Sequence, residues 1–178
     1  MNREEADYES LDESFAPDPT EPKTPLEKFL QDPIQSLSPP HVFCATPKTT
    51  VAEAVKKMNE EKIGAVVVTE GGKVVGIFTE RDLLMKVAGR QLDFTKILVG
   101  DYMTKNPECL KVHDMIAFAM NKMVVGGYRH IPIVDESGNP VGIVSMREIV
   151  EHLVDYFPDP ILNLPPRPDL AFKGLDGG

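Results

Sequence analysis

The stretch Gly76-Ile77-Phe78-Thr79-Glu80-Arg81-Asp82-Leu83 returns 66 residues later as Gly142-Ile143-Val144-Ser145-Met146-Arg147-Glu148-Ile149. In both copies an apolar run ends at a hydroxyl residue, and an acidic residue follows three positions later. A hydroxyl and an acid at this spacing are typical of the first turn of a helix. The motif therefore predicts a strand that turns directly into a helix, once in each half of the chain.

The segments that precede the motif repeat as well. Apolar residues at positions 51, 54, 55 and 58 have the spacing of one helical face, and positions 116, 119, 120 and 123 have the same spacing. An apolar strand follows each helix, at 65–68 and at 131–134, and a glycine-containing turn leads to a return strand at 74–79 or 140–145. Each copy is therefore predicted to be a β-α-β-β-α repeat.

The repeats also predict the overall architecture. One unit of about 60 residues buries too little surface to be stable alone. We therefore expect an α+β fold in which two β-α-β-β-α repeats pack with internal pseudo-twofold symmetry into one module. The first repeat is assigned to residues 38–99 and the second to residues 100–156.

The two flanks differ in composition from the repeats. Residues 1–37 are acidic and proline-rich, which favours a largely extended N-terminal arm. One segment of the arm allows a short helix that docks onto the module, because Thr24 supplies a cap and Pro25 a first helical position. Residues 157–178 form a proline-rich C-terminal extension that is expected to pack extended along the domain.

Charge and composition exclude several classes of function. The formal net charge is −9, but residues 1–40 alone carry a net −7, so the remainder is nearly neutral and has no basic stripe for nucleic acid. The N-terminus has no secretory pattern and no apolar run is long enough to span a membrane, which favours a soluble, cytoplasmic protein. The histidines and cysteines do not have the spacing of metal ligands, so no metal site is predicted. The sequence also shows no nucleophile relay and no dinucleotide-binding fingerprint, so no catalytic cofactor or enzymatic activity is predicted.

The order of these elements resembles that of a tandem pair of cystathionine β-synthase (CBS) domains. The resemblance covers about residues 38–156 and rests on the proline-containing strand at 129–135 and on two copies of the closing Gly-Ile-x-Thr/Ser-x-Arg-Asp/Glu motif. It implies a regulatory module with two clefts between the repeats, each able to bind an adenine nucleotide or a related adenosyl ligand. It also implies a homodimer formed through exposed helices.

The resemblance assigns ligand-binding roles to particular residues. In such pairs the motif hydroxyl contacts phosphate, the carboxylate holds the ribose hydroxyls, and the base lies against the first two strands of the other repeat. Arginines at the same place would serve as cations for a polyphosphate. The first cleft would use Thr79, Arg81, Asp82, Tyr128, Arg129, His130 and Pro132, with backbone near Met103 and Glu108. The second would use Ile63, Gly64, Ala65, Ser145 and Glu148, with backbone near Phe43 and Cys44.

Simple physical chemistry supports this use of the motif. The first turn of a helix presents unpaired N–H groups and a partial positive charge, which suit a phosphate. The Asp82 carboxylate can accept two hydrogen bonds from a cis-diol, each worth about 1.5–3 kcal/mol for a charged acceptor. Taken alone, the same two residues are better explained as a helix cap with a first-turn acid, and it is their repetition in a recognisable module that favours ligand binding.

The two clefts are predicted to be unequal. Glu148 carries one more methylene than Asp82, which displaces its carboxylate, and the apolar Ile63-Gly64 pair stands where the first cleft has Tyr128 and its neighbours. We therefore expect the Thr79/Asp82 cleft to be the better nucleotide site.

Two functional hypotheses follow. The first is a non-catalytic regulatory module, for instance an energy sensor, that binds AMP, ADP, ATP or an adenosyl ligand and signals occupancy to a separate effector protein. The acidic arm is a candidate contact for that protein. The second is a structural or scaffolding module with degenerate clefts that acts through protein–protein binding, which Glu148 and the long flanks favour.

Overall fold

Short helices and strands alternate along the chain. The computed structural model describes residues 24–37, 39 and 42–157; the expectations for residues 1–23 and for the C-terminal extension after Phe157 lie outside the described residues. The helices are α1 (Pro25–Gln31), α2 (Val51–Glu61), α3 (Glu80–Asp82), α4 (Val99–Tyr102), α5 (Ile116–Gly126) and α6 (Met146–Tyr156), with a 3₁₀ turn at Ile34–Leu37 and a π-helical turn at Leu83–Val87. The strands are β1 (Cys44–Ala45), β2 (Ala65–Glu70), β3 (Lys73–Thr79), β4 (Thr104–Lys105), β5 (His130–Val134) and β6 (Pro140–Ser145).

Each repeat contains an antiparallel hairpin that ends at the motif. In the first, β2 pairs with β3 so that Ala65 lies opposite Thr79; in the second, β5 pairs with β6 so that His130 lies opposite Ser145. The predicted turn at 70–73 has positive φ at both of its glycines, the geometry of a two-residue hairpin loop that follows strand twist. The predicted α+β architecture of two similar repeats is confirmed.

The start of the second repeat belongs to the sheet of the first. Strand β4 pairs antiparallel with β3, with Thr104 opposite Ile77, which gives a four-stranded sheet of order β1-β2-β3-β4. The close approach requires Gly76, because a Cβ at that position would overlap the Met103 side chain. The crossing brings Thr104 to the end of β3, next to the motif of the other repeat.

Two apolar cores form, one for each repeat. In the first, Val51, Ala54 and Met58 of α2 pack against the inner faces of β2 and β3. In the second, Ile116, Ala119 and Met123 of α5 pack against Ile131 and Ile133 of β5, among others. The predicted apolar faces are therefore the buried faces, with the fourth position of each face, 55 or 120, only partly buried.

Part of the predicted arm is helical. Thr24 caps α1 reciprocally with Glu27: its hydroxyl accepts from the Glu27 N–H at 3.1 Å, and its own N–H donates to the Glu27 carboxylate at 3.0 Å. Phe29 is 1% exposed and lies in the core of the second repeat. The short helix that the sequence allowed after Thr24 is therefore present at Pro25–Gln31. The extended assignment is wrong for Ile34–Leu37, where burial of Ile34 in the same core stabilises a 3₁₀ turn.

Replacing Phe29 with alanine should destabilise the module by about 3 kcal/mol, because the substitution leaves a cavity in the core of the second repeat. Urea unfolding followed by circular dichroism measures this loss. Leu26→Ala, on the same helix but with Leu26 51% exposed, is the control and should change stability by less than about 0.5 kcal/mol. Equal effects of the two substitutions would contradict the docking of α1.

Candidate functional site

Two cavities lie side by side between the repeats and share one wall. The first cleft has a volume of about 400 Å³ and the second about 830 Å³. Gly64, Glu80, Arg129 and His130 line both of them. Volumes of this size suit a small organic ligand.

The first cleft brings together most of the residues predicted for it. Seven of the nine line the cavity: Thr79, Arg81, Asp82, Glu108, Tyr128, Arg129 and His130. The prediction did not include Gly64, Ile77, Glu80, Thr104, Asn106, Pro107, Gly126 and Gly127, which line it as well. Two signals could have found some of these: Glu80 lies inside the repeated motif, and the Gly126-Gly127 pair immediately precedes a predicted wall residue.

Met103 and Pro132 are not among the residues that line the first cleft. The Met103 side chain packs over Gly76 and against the core of the first repeat, because β4 runs alongside β3. Pro132 lies buried inside β5, between the two apolar residues that face the core of the second repeat. Strand pairing thus turns both residues away from the cavity.

Thr79 and Asp82 form a reciprocal helix cap at the junction of β3 and α3. The Thr79 N–H donates to Asp82 Oδ2 at 2.9 Å and its hydroxyl donates to the same oxygen at 2.7 Å, while the Asp82 N–H donates back to the hydroxyl at 3.2 Å. This is the capping arrangement that the sequence left as an alternative to ligand binding. The same two side chains also line the first cleft, and their contact with a ligand stays a prediction.

The other oxygen of Asp82 is held from the second repeat and from the π-helical turn. Thr104 donates its hydroxyl to Oδ1 at 3.1 Å, and the Lys86 ammonium lies 2.6 Å from the same atom. Asp82 is 6% exposed, so a charged partner offsets the cost of burying its carboxylate. The predicted helix after Thr79 is α-helical only to Asp82 and continues as the π turn at Leu83–Val87, a distortion that is frequent at functional sites.

The side of the first cleft that faces Asp82 belongs to the second repeat, is polar, and is hydrogen-bonded to the first repeat. The Arg81 guanidinium donates to the carbonyl oxygen of Gly127, whose φ of +67° ends α5. Arg81 therefore bridges the repeats through a carbonyl group, and not through a surface acid. Arg129 lines both cavities and, among the described residues, makes no side-chain hydrogen bond or ion pair, which leaves its charge available to an anion.

Glu108 joins two cleft elements. Its carboxylate accepts a hydrogen bond from the Tyr128 hydroxyl and another from Lys122 at 2.8 Å. The hydrogen bond from Lys122, followed by the one from Tyr128, lowers the pKa of Glu108. Burial, followed by the hydrogen bond to Glu108, raises the pKa of Tyr128 to about 12. Tyr128 is therefore a neutral donor at physiological pH.

His130 stands in the wall between the clefts. Burial lowers its pKa, and this effect outweighs the opposing influence of the nearby Glu148 and Glu80 carboxylates. The imidazole is therefore mostly uncharged near neutral pH, so it offers either cleft a flat ring with one donor and one acceptor. Gly64 keeps this wall thin: a Cβ there would lie 3.2 Å from both the His130 ring and the Glu80 carboxylate.

The second cleft contains Ile63, Gly64, Ala65, Ser145 and Glu148, as predicted, but not Phe43 or Cys44. Phe43 packs against the core of the first repeat, with the Lys57 ammonium 5.3 Å from its ring centroid. Cys44 is exposed because residues of a strand alternate sides and Ala45 takes the inner position in β1. Nine further residues line the cavity: Lys62, Glu80, Arg129, His130, Ile143, Met146, Arg147, Val150 and Glu151.

The cap of the second repeat resembles the first only in part. Both the N–H and the hydroxyl of Ser145 donate to Glu148 Oε2, the N–H at 2.5 Å. In the described part of the chain Oε1 of Glu148 receives no hydrogen bond, whereas Asp82 uses both oxygens. Arg147 pairs with Glu151 at 2.8 Å, an exposed ion pair on one face of α6.

The two repeats match a known family. The family model for the CBS domain matches residues 34–89 and 99–155, more than half of the chain. The chain belongs to the CBS domain family. CBS domain pairs are regulatory modules and are generally non-catalytic.

Curated relatives agree with this assignment. An uncharacterized 17.7 kDa protein from Acidianus ambivalens is 34% identical over 123 residues, which cover 68% of this chain and 73% of the relative. The CBS domain-containing protein CBSCBSPB3 of Arabidopsis thaliana is 33% identical over 108 residues, or 61% of this chain. The match spans only 19% of the Arabidopsis protein, so the similarity concerns the CBS module within a longer chain.

Solved structures share the fold. A CBS-domain containing protein from Agrobacterium tumefaciens superimposes with a TM-score of 0.62 at 33% identity, covering 68% of this chain and 99% of that one. The CBS domain pair of protein MJ0100, solved with 5′-methylthioadenosine and S-adenosyl-L-methionine, superimposes with a TM-score of 0.62 at 22% identity, covering 70% and 97%. At that identity the second likeness concerns the fold alone.

The described residues contain no helix with the length and hydropathy of a membrane span. They also contain no cluster of three or more His, Cys, Asp or Glu side chains able to hold a metal ion.

The Tyr128–Glu108 contact predicts a pH dependence. The pKa of Tyr128 is about 12 in the folded protein and about 10 in the unfolded chain. Its contribution to stability is therefore complete below pH 10 and is lost as the pH rises from about 10 to about 12, because tyrosine ionises first in the unfolded chain. Glu108→Gln should lower the pKa of Tyr128 part of the way towards 10, since burial remains. Ultraviolet titration of tyrosinate, with Tyr128→Phe to assign the signal, measures it. An unchanged titration in Glu108→Gln would contradict the contact.

Proposed function

We propose that this CBS domain pair is a regulatory module that binds an adenine nucleotide or an adenosyl ligand in the first cleft. Ligand occupancy would change the relative placement of the two repeats, and a separate effector protein would detect that change. The ligand acts as a regulatory signal in this account and takes part in no reaction.

The observation that carries the proposal is the first cleft, a cavity of about 400 Å³ walled by the motif of the first repeat and by residues at the start of β5 in the second. Thr79 and Asp82 supply a hydroxyl and a carboxylate on one side, and Tyr128, Arg129 and His130 supply an aromatic ring, a cation and a neutral imidazole on the other. A nucleotide offers matching groups: a ribose diol for the carboxylate, a phosphate for the cation and a flat base for the rings.

Relatives support the ligand class. The structure of the MJ0100 domain pair holds two adenosyl compounds, so a CBS pair of this fold accommodates such ligands. Both compounds contain a ribose and an adenine, the parts that the first cleft suits best. The free charge of Arg129 favours a phosphate-bearing ligand in this chain.

We assign the nucleotide to the first cleft and not to the second. Both oxygens of the Asp82 carboxylate accept hydrogen bonds, and the donors come from both repeats. In the described part of the chain only one oxygen of Glu148 accepts hydrogen bonds. A receptor group that is held in place loses less conformational entropy on binding. The second cleft also has twice the volume, which makes the fit to one nucleoside less close.

A thermal-unfolding series with AMP, ADP, ATP and S-adenosylmethionine tests the proposal. A ligand at 100 times its Kd should stabilise the protein by about 2.7 kcal/mol, which for a chain of this size raises Tm by roughly 5–10 °C. Asp82→Asn should reduce the shift more than Glu148→Gln, and a tenfold weaker Kd would leave about 1.4 kcal/mol. A larger loss in Glu148→Gln would contradict the ranking of the clefts.

Absence of any shift across the panel would contradict nucleotide binding and favour the scaffolding hypothesis, in which the clefts are degenerate and the surface binds another protein. The unfolding curve of Asp82→Asn without ligand is measured in the same series. A variant that does not fold is therefore recognised and is not mistaken for one that does not bind.

We also propose that the module is a homodimer. Exposed apolar side chains on α5 and on the π turn support this, because large exposed apolar groups mark association surfaces. The most exposed are Leu84 at 68%, Met85 at 69%, Val124 at 74% and Val125 at 79%.

Charged substitutions at these positions should therefore give a monomer. Leu84→Glu combined with Val125→Glu places uncompensated charges in the expected interface, and sedimentation equilibrium at micromolar protein should report half of the wild-type mass. Leu26→Glu, at an exposed apolar residue of α1, is the control and should keep the wild-type mass. A monomeric wild-type protein, or a dimeric double variant, would contradict the proposal.

A further inference from the structure

Four donors surround the Asp82 carboxylate, two at each oxygen. Oδ2 accepts from the N–H and the hydroxyl of Thr79, and Oδ1 accepts from the hydroxyl of Thr104 and lies 2.6 Å from the Lys86 ammonium. A carboxylate with two oxygens has about four acceptor positions, so this group is fully occupied. A ligand hydroxyl can reach Asp82 only by replacing one of the four donors.

The four donors are of two kinds. The ammonium of Lys86 reaches the carboxylate from a residue that does not line the cleft, and the backbone N–H of Thr79 is fixed by the chain and cannot rotate away. The hydroxyls of Thr79 and Thr104 belong to residues that do line the cleft, and each can rotate its hydrogen away. One hydroxyl sits on each oxygen, which is the pattern that the two hydroxyls of a cis-diol would make.

We propose that Lys86 is a positioning residue that gives the first cleft its selectivity for a ribose cis-diol. This inference rests on the proposed function of the same cleft. The ligand diol replaces the two threonine hydroxyls, one at each oxygen, while Lys86 and the Thr79 N–H hold the carboxylate in place.

Lys86 is well fixed for this role. Its ammonium also donates to the carbonyl oxygen of Tyr102 at 2.9 Å, and it lies 3.5 Å from the Thr104 hydroxyl. It therefore ties the π turn, the end of α4 and the carboxylate together, while its side chain stays partly exposed at 40%. When the Thr104 hydroxyl leaves Oδ1, the ammonium remains as the compensating charge for a carboxylate that is 6% exposed.

The second repeat supplies an internal comparison. The position that corresponds to Lys86, 66 residues later, is His152, and its ring lies 3.2 Å from the Asp32 carboxylate. No hydrogen bond or ion pair joins His152 to Glu148, so within the described part of the chain the second carboxylate has no ion-pair partner equivalent to Lys86. The second cleft should therefore discriminate poorly between ribose and deoxyribose.

Isothermal titration with AMP and 2′-deoxy-AMP tests the role of Lys86. The wild-type protein should prefer AMP by about tenfold, since loss of a hydrogen bond to a charged acceptor costs on this order. Lys86→Met should reduce that preference to about threefold or less, because the carboxylate loses its fixed partner. Lys86→Arg should restore most of the preference, since a guanidinium can reach the same oxygen.

Two further variants sharpen the test. Lys56→Met removes the cation of an exposed helix pair with Glu60 outside the cleft and should leave the preference unchanged. Thr104→Val removes a hydroxyl that competes with the ligand and should strengthen AMP binding by about threefold. Unfolding curves for each variant show that binding is measured on folded protein.

The outcomes separate this inference from the proposed function. If Lys86→Met weakens AMP and 2′-deoxy-AMP equally, or leaves their ratio at the wild-type value, Lys86 is structural and the inference is wrong while nucleotide binding stands. If Thr104→Val weakens AMP as much as Lys86→Met, the hydroxyl exchange is wrong. If the wild-type protein binds neither compound and no ligand of the thermal-unfolding series shifts its Tm, the proposed function fails with it. If it binds neither but ADP, ATP or S-adenosylmethionine shifts the Tm, the same comparison is made with that ligand and its 2′-deoxy form.

Discussion

The buried carboxylate of Asp82 is the point at which the two repeats depend on each other. It caps α3 of the first repeat and accepts a hydrogen bond from the hydroxyl of Thr104 in β4 of the second. It also pairs with the Lys86 ammonium, which donates to the carbonyl oxygen of Tyr102 at the end of α4. A carboxylate that is 6% exposed needs hydrogen-bond donors or a cation to compensate its charge, because an unpaired buried charge costs several kcal/mol. The pairing of β4 with β3 adds the fourth strand to the sheet. It also brings the Thr104 hydroxyl to Asp82, which completes the four donors around the carboxylate.

Much of this structure was readable from the sequence because its signals are local. The apolar spacing in α2 and α5 predicted which faces are buried, and the glycine turns and the hydroxyl–acid motif predicted the hairpins and the helices that follow them. Most of the residues assigned to the first cleft by resemblance do line a cavity. Their contact with a ligand stays a prediction.

What the sequence did not predict depends on contacts between distant segments. Thr104 reaches Asp82 because β4 crosses to the other repeat, and no pattern within β4, a two-residue strand, specifies that register. The same crossing turns Met103 onto Gly76 and away from the cleft. Lys86 approaches Asp82 through an ordinary i,i+4 spacing, which Lys56 and Glu60 share in reversed order as an exposed pair, so the spacing alone does not reveal that Asp82 is buried. The helix at Pro25–Gln31 was recognisable from its cap, but its stability comes from the burial of Phe29 in a core 90 residues away.

The repeats show how one local motif supports two different environments. Both hydroxyl–acid pairs fold into the same cap, which explains why the motif persists in each half. The surroundings differ: Asp82 pairs with the Lys86 ammonium and accepts a second hydroxyl from Thr104, whereas Glu148 has neither an ion pair nor a second hydroxyl donor among the described residues. The central claim is that the first of these caps is also a ligand-binding site. The most direct test is two-dimensional amide NMR of the protein titrated with AMP: the account predicts perturbed signals at Thr79–Asp82, Thr104 and Tyr128–His130, and perturbations confined to Ser145–Glu148 would contradict it.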